Sequence, residues 1–228
     1  MNWKKKLATY ASLSILATFI IHIINKLIYF MSTIDNLLGK KEGLYYEWRF
    51  GKIFYTKEGT GKPILLIHDL SACSSEYEWN RIVSDLSKTN TVYTLDLLGC
   101  GKSDKPNFTY TNFLYVQLVT DFINNVIGEK ADIIVTGNSC SFVLMACHNN
   151  DEIIDKILLI NPPSISSISK APTKRTKMLK FIINIPFIGT LLFNLLHSKD
   201  SIEQTFMTEY FYTCLLYTSP SPRDPKTS

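Results

Sequence analysis

The sequence predicts an α/β protein with a mostly parallel sheet flanked by helices. Three short apolar, β-branched runs, over residues 64–67, 91–95 and 133–135, each end at glycine or a polar turn residue. Runs of this kind are typical of strands that are buried on both faces of a sheet. Segments with helical spacing separate them, and this alternation favours parallel strands joined by helices.

An apolar N-terminal segment precedes this region. Residues 7–24 are apolar apart from small hydroxyls, Tyr10 and His22, and residues 27–31 continue the run after Asn25 and Lys26. Eighteen residues reach the length of a membrane span, and no small-residue cleavage site follows, so residues 1–34 are predicted to be a retained anchor in a bacterial cell membrane. A surface-bound amphipathic helix is the alternative. Lysines on both flanks leave the side of the catalytic domain open.

The segments after the anchor predict a linker and then one domain. Residues 35–44 form a short polar linker, and the domain is expected over 45–213. Residues 45–50 and 52–57 predict a hairpin around Gly51. Residues 75–87 and 110–127 predict helices, the first capped by Ser74 or Ser75. The apolar positions expected to face the core are Trp79, Ile82, Val83 and Leu86 in the first helix, and Leu114, Leu118, Phe122 and Val126 in the second.

Three motifs occur at the ends of the predicted strands. His68-Asp69 follows the first strand, and Gly137-Asn-Ser139-Cys-Ser141 follows the third and opens a helix. The second strand ends in a glycine-rich loop that contains Asp96, Gly99, Gly101 and Ser103.

In this order the motifs resemble those of the α/β-hydrolase family, over about residues 46–163. The family pattern is His-Gly, then Asp-x-x-Gly-x-Gly-x-Ser, then the nucleophile elbow Gly-x-Ser-x-Gly. The resemblance implies that Ser139 projects from a sharp strand-to-helix turn and attacks an acyl carbonyl. It also implies that the backbone N–H groups of Leu70 and Cys140 hold the oxyanion. The expected partner is a small acyl substrate, with no cofactor.

Two departures from the family pattern keep a second function open. Asp69 replaces the glycine after His68, and Ser141 replaces the last glycine of the elbow. A carboxylate beside a developing oxyanion is unfavourable unless it points away or is paired. A non-catalytic binding protein on the same fold is therefore the alternative.

The glycine-rich loop also resembles the end of a phosphate-binding loop, because Gly101-Lys102-Ser103 fits the last three positions of that motif. Asp96 stands where its first glycine belongs, and Asp104, Pro106 and Asn107 do not predict the helix that would bind phosphate. Nucleotide binding is therefore not favoured.

The region after the last predicted strand, residues 156–160, resembles the family's lid. Residues 176–185 and 187–196 predict two apolar helices. They lie in the first part of the lid, over about 164–213, and they favour a lipophilic substrate. The family order places the triad acid and histidine after later strands, and neither is identified in this chain. His148 lies on the predicted elbow helix and is expected to point away from Ser139, and His197 lies near the end of an apolar helical run. Residues 214–228 resemble the translation of a common sequencing adaptor, so a C-terminally truncated fragment with a non-native tail is expected.

Composition excludes other classes. The net charge of +4 is small, and no basic stripe with interleaved aromatics indicates nucleic-acid binding. The cysteines, with no Cys-x-x-Cys pair and no histidine at metal spacing, predict reduced core thiols and no metal site; they are Cys73, Cys100, Cys140, Cys147 and Cys214.

Overall fold

The computed structural model describes residues 3–33, 42–71, 74–164 and 173–197. The chain divides into two compact units. Residues 36–171 form one, here called the sheet unit, and residues 1–35 and 172–228 form the other, the helical unit. Most of the predicted linker, Cys73 and the whole predicted tail, with Cys214, lie outside the described residues.

The sheet unit contains a six-stranded mixed sheet in the order β1-β2-β4-β3-β5-β6. The strands are β1 (Leu44–Trp48), β2 (Gly51–Glu58), β3 (Lys62–Ile67), β4 (Asn90–Leu95), β5 (Ala131–Thr136) and β6 (Ile154–Ile160). The β1–β2 hairpin is antiparallel, and β2 joins β4 antiparallel. The pairs β4–β3, β3–β5 and β5–β6 are parallel. The predicted fold class is confirmed.

Apolar side chains cover both faces of the central strands β3 and β4. Alternate residues of β3 face opposite sides: Leu65 and Ile67 belong to the larger core cluster, and Ile64 and Leu66 to the smaller one. A strand buried on both faces needs apolar residues at every position, which explains the unbroken run that the sequence shows.

Helices supply the two cores. A short 3₁₀ helix (Glu76–Trp79) capped by Ser75 leads into α2 (Asn80–Leu86) and buries Trp79 and Val83. The expectation that Ile82 faces the core is wrong, because the 3₁₀ start rotates the following turn and leaves Ile82 39% exposed. Opposite lie α3 (Asn112–Phe122), which ends in a π-helical turn (Ile123–Ile127), and α4 (Cys140–Asn149).

The helical unit contains three described helices. They are α1 (Trp3–Thr33), α5 (Lys174–Ile183) and α6 (Ile188–Leu196). The segment Trp3–Met31 is long and apolar enough to cross a membrane, with a mean hydropathy of 1.9, and an N-terminal signal segment has the same properties. Helices α5 and α6 meet at a bend of 111°.

Candidate active site

The three sequence motifs lie together at one edge of the sheet. The parallel strands β3, β4 and β5 end at Ile67, Leu95 and Thr136. Register pairs Ile67 with Leu95 on one side and with Val135 on the other, so the residues that follow the three strands are neighbours. This carboxyl edge is where open parallel sheets bind their ligands.

Asp96 holds the glycine-rich loop after β4. Its carboxylate accepts the N–H of Glu76 at 2.7 Å and that of Lys102 at 2.8 Å. Ser103 Oγ donates to the Asp96 carbonyl at 2.7 Å and accepts the Phe54 N–H at 2.9 Å, which ties the loop to β2. Gly101 has φ +46, and a Cβ there would collide with the Asp96 carboxylate. The motif is a hydrogen-bonded loop with a structural role, in which Asp96 and Ser103 are buried.

The same contacts exclude a phosphate-binding loop here. The Lys102 N–H is bound by Asp96, and the residues from Lys102 to Tyr110 form turns and extended chain instead of a helix. A phosphate would find no helix N-terminus at this position.

His68 is a buried, neutral structural residue. The Leu97 N–H donates to its Nε2 at 3.0 Å, so this nitrogen carries no proton. Nδ1 lies 2.7 Å from the Asp69 carbonyl and is therefore the donor. Burial lowers the pKa of His68, which keeps the ring uncharged. With both nitrogens engaged, His68 cannot serve Ser139 as a base.

Ser139 lies in the strand-to-helix turn, but its hydroxyl does not project outward. Ser139 is fully buried, and its Oγ donates to the His68 carbonyl at 2.7 Å. The expected exposure above the sheet edge is therefore wrong for this conformation. Residues Gly137–Ser139 form a 3₁₀ turn in which Gly137 takes φ +56 and Ser139 takes φ −64. Gly137 therefore adopts the left-handed backbone conformation in this turn.

Asp69 explains the shape of this turn. Its Oδ1 accepts the Asn138 N–H at 2.7 Å, and its carboxylate lies where a Cβ on Gly137 would be. The Asn138 N–H is the partner that this carboxylate was expected to need. Ser141, the other departure from the family pattern, donates to the Asn138 carbonyl at 2.9 Å.

Cys140 does not offer an oxyanion donor in this arrangement. Its N–H bonds back to the carbonyls of Gly137 and Asn138, which closes the 3₁₀ turn. Its thiol contacts the carbonyls of Val135 and Ile160 and is buried, and this burial raises its pKa. Cys140 is thus a protonated thiol in the core, as the sequence predicts.

Glu78 is the site residue that sequence analysis missed. One carboxylate oxygen accepts the Thr136 hydroxyl at 2.8 Å, and the other accepts the Asp69 N–H at 3.1 Å. Glu78 thereby links the loop after β3 to the end of β5. The spacing Ser75-x-x-Glu78 gave a signal, but it is that of a helix capping box, which would direct this carboxylate to the helix start instead.

A cavity of about 230 Å³ opens beside the expected oxyanion loop. Leu70 and Ser71 form one wall, and the other walls come from the loop after β4 and the start of α3. Tyr110 and Tyr115 line it, and Tyr115 stacks on Phe142 of α4 at 5.2 Å. Burial raises the pKa of Cys100, another lining residue, to about 11. The walls are largely aromatic and apolar.

In the sheet unit no described histidine other than His68 approaches Ser139. His148 is exposed in the last turn of α4, about 13 Å farther along that helix. No group of three metal-ligating side chains occurs among the described residues. Cys100 and Cys140 are buried free thiols.

Comparison with known proteins identifies the family to which this chain belongs. The sequence profile of the Alpha/beta hydrolase family matches residues 64–220. A 2-hydroxy-6-oxo-6-(2'-aminophenyl)hexa-2,4-dienoic acid hydrolase of Metapseudomonas resinovorans is 33% identical over 86 residues, 37% of this chain and 29% of that protein. A soluble epoxide hydrolase of Corynebacterium sp. (strain C12) is 23% identical over 110 residues, 48% of this chain and 38% of that protein.

Solved structures share the fold. An alpha/beta hydrolase fold protein from Burkholderia ambifaria superimposes with a TM-score of 0.54 at 20% identity, over 64% of this chain and 55% of that one. The matched segments thus span about a third of the curated relatives and about half of this structural neighbour.

Proposed function

Because the chain belongs to the α/β-hydrolase family, we propose that it carries the nucleophile of a membrane-anchored serine hydrolase. The reaction is hydrolysis of an ester or other acyl substrate, and Ser139 is the nucleophile. The observation that supports this most is the position of Ser139, at the turn from β5 into α4 and within 2.7 Å of the loop after β3. Serine at this position, instead of aspartate, favours acyl transfer over the chemistry of epoxide hydrolases and haloalkane dehalogenases.

The reaction begins with a side-chain rotation. Ser139 Oγ leaves the His68 carbonyl, which costs about 0.5–1.5 kcal/mol for one neutral hydrogen bond, and turns toward the sheet edge. A base takes the hydroxyl proton while Oγ attacks the carbonyl carbon. The tetrahedral intermediate expels the alcohol, and water then releases the acid from the acyl-enzyme. Opening of the 3₁₀ turn frees the Cys140 N–H to join that of Leu70 at the oxyanion.

No described residue of the sheet unit is assigned as the base or as its acid partner. His68 is engaged at both nitrogens, and His148 is exposed at the far end of α4. The order of the triad in this fold, serine then acid then histidine, places both residues after Ser139.

The substrate has an apolar acyl group. The cavity beside Leu70 is lined by Tyr110 and Tyr115 and has room for a short chain. The apolar character of α5 and α6, proposed as the start of the lid, is consistent with a lipophilic compound. Helix α1 anchors the enzyme in the membrane, where such compounds concentrate.

A non-catalytic acyl-binding protein is the second candidate. Asp69 favours it, because its carboxylate lies across the elbow and holds the turn in a form that buries Ser139. Such a protein would bind the same ligands without hydrolysing them.

Hydrolysis of activated acyl esters separates the two candidates. The natural gene product, purified in detergent, is assayed with p-nitrophenyl esters of short and long acyl chains beside the 228-residue chain. The gene product should hydrolyse them, and Ser139→Ala should reduce kcat by at least about 10³-fold. The 228-residue chain should show no enzyme-like rate, since no described histidine of the sheet unit can act as the base for Ser139.

Ser141→Ala is the matched control, because it removes a neighbouring hydroxyl whose hydrogen bond among the described residues is to the Asn138 carbonyl. It should change kcat by less than about threefold. A gene product without turnover that still binds the long ester would establish the binding protein. Turnover by the 228-residue chain that depends on Ser139 would show that the base is within it.

A further inference from the structure

We propose that the α5–α6 hairpin is a second membrane contact, which lies on an anionic lipid surface at the C-terminal end of α1. The proposal rests on the membrane anchor in the proposed function. It differs from the role of a lid, because it assigns the exposed side of the hairpin to lipid headgroups instead of to substrate.

The hairpin is joined to α1 by polar contacts within the helical unit. Asn25 of α1 is buried, and its Nδ2 donates to the Phe187 carbonyl at 3.0 Å. Asn194 of α6 donates to Asn25 Oδ1 at 3.1 Å. The His22 ring packs edge-on against Phe187, with centroids 5.7 Å apart. The hairpin therefore has a fixed position along α1.

That position coincides with the edge of the membrane. The middle of the span Trp3–Met31 is Ala17, and Asn25 lies eight residues beyond it, or about 12 Å along the helix axis. The hydrocarbon core extends about 15 Å from its centre. Asn25 and the adjacent Lys26 therefore lie close to the headgroup boundary, and the hairpin packed there lies in the interfacial layer.

The hairpin has the side chains that this layer requires. Its exposed apolar residues include Phe181, which is 70% exposed, and Leu195, which is 60% exposed. Lys177 and Lys180 are three residues apart and share one face of α5. Exposed apolar side chains beside lysines are typical of helices that lie in the interface.

Charge selects anionic lipid as the partner. The basic residues on this side of the span are Lys26 and the four Lys or Arg in 173–197, and the described residues of the helical unit, 3–33 and 173–197, contain no Asp or Glu. Basic residues without acidic neighbours favour contact with a surface of acidic phospholipids. Each basic residue close to such a surface contributes about 1 kcal/mol to binding, which is about fivefold in affinity. A second protein would need a strongly acidic surface to match it.

Photocrosslinking to lipid tests the proposal on the full chain. p-Benzoylphenylalanine replaces Phe181, and separately Phe19 of α1 and Phe113 of the sheet unit, which are each 60% exposed. Each protein is reconstituted into phosphatidylcholine vesicles with about a third phosphatidylglycerol and illuminated, and phospholipid adducts are measured by mass spectrometry.

Positions 19 and 181 should both form lipid adducts, and position 113 should form at least tenfold fewer. Replacing Lys177 and Lys180 by Gln should lower the adduct at position 181 at least fivefold and leave that at position 19 unchanged. An adduct at 19 without one at 181 overturns the hairpin proposal and keeps the anchor. No adduct at either position overturns both. Crosslinks from 181 to the sheet unit or to a second copy assign the hairpin to a lid or to a dimer, and overturn the lipid assignment.

Discussion

Asp69 determines the state of the candidate nucleophile. The carboxylate takes the Asn138 N–H, the turn closes as a 3₁₀ helix, and Ser139 is left bonded to the His68 carbonyl. A glycine at position 69, as in the family pattern, could not make this contact. In the same closed turn the Cys140 N–H bonds to the carbonyls of Gly137 and Asn138.

Removal of the Asp69 charge should increase hydrolysis by the gene product. Asp69→Asn keeps an oxygen for the Asn138 N–H but removes a negative charge beside the developing oxyanion. We expect kcat to rise by roughly tenfold, which corresponds to about 1.4 kcal/mol of transition-state stabilisation. Ester hydrolysis measures it, with Asp132→Asn as control, because Asp132 lies at the opposite end of β5. A fall in kcat would mean that the Asp69 carboxylate assists the reaction.

His68 should make stability depend on pH. Its pKa is lowered by burial in the folded protein, so the unfolded chain binds more protons below the ordinary value of about 6.5. Stability is therefore complete above that pH and is lost as pH falls through it, with a slope of at most about 1.4 kcal/mol per unit from this group. The carboxylates of Asp69, Glu78 and Asp96 favour the charged ring and reduce the effect.

Urea unfolding of the full chain in detergent between pH 7 and pH 5 measures this slope. His68→Gln, which can still donate to Asp69 and accept from Leu97, should reduce it. His148→Gln removes an exposed histidine and should leave it unchanged. Equal slopes in all three proteins would contradict a buried neutral His68.

At the scale of residues, the sequence predicted which residues lie at the site better than it predicted where their side chains point. Asp96, Gly101 and Ser103 lie in the glycine-rich loop that the sequence predicts after the second strand, and their contacts reach the neighbouring strand β2 and the Glu76 N–H. The orientation of Ser139 was missed, since it depends on Asp69, seventy residues earlier. Glu78 was missed for the same reason: both its partners lie on other elements.

At the scale of elements, hydrophobic periodicity located every described strand. The hairpin, the three buried strands and the strand over 156–160 all form, with ends shifted by a few residues. The helix predicted over 110–127 continues to its end as a π-helical turn, so Leu118 and Phe122 are buried as expected. The ends differ because capping and turn contacts, rather than periodicity, determine them.

The outer strand β6 should promote aggregation. It is one of the two edge strands of the described sheet, and its side chains are largely exposed, with Leu158 at 55%. An exposed apolar edge pairs readily with other chains. Leu158→Lys should therefore increase the soluble monomer of the full chain in detergent at least twofold, measured by size-exclusion chromatography.

Leu144→Lys is the control for this change. Leu144 is 47% exposed but lies on helix α4 and not on a strand. An equal gain in monomer from both variants would assign the effect to general surface charge instead of the edge of β6.

The anchor should respond to one central charge. Leu, Ile and Phe each contribute roughly −0.3 to −0.6 kcal/mol to insertion at the helix centre, and Lys costs roughly 2.5–3.5 kcal/mol. Leu16→Lys places this charge next to the middle of the span Trp3–Met31. We expect wild type to stay in bacterial membranes during a carbonate wash and Leu16→Lys to move substantially to the wash.

Lys at position 7, near the start of the same span, is the matched control, because its side chain can reach the interface. Leu7→Lys should remain in the membrane pellet. Release of wild type by carbonate would place α1 on the membrane surface instead of across it.

At the scale of the whole molecule, the family and the fold determine where the candidate active site lies. Residues particular to this chain determine the conformation of its turn. The fold brings Ser139, Asp69 and the loop after β3 to the edge where this family does its chemistry, while the curated relatives extend well beyond the matched segments. The sequence could predict the family, because three motifs carry the resemblance. It could not predict the closed turn, because that depends on contacts between elements.

Location of a covalent adduct tests the central proposal, that Ser139 is the nucleophile, most directly. The natural gene product is treated in its membranes with a fluorophosphonate, digested, and analysed by peptide mass spectrometry. We predict a single phosphonylated site at Ser139, absent from Ser139→Ala and retained in Ser141→Ala. An adduct on another residue, or no adduct in a folded protein that still binds acyl ligands, would contradict the proposal.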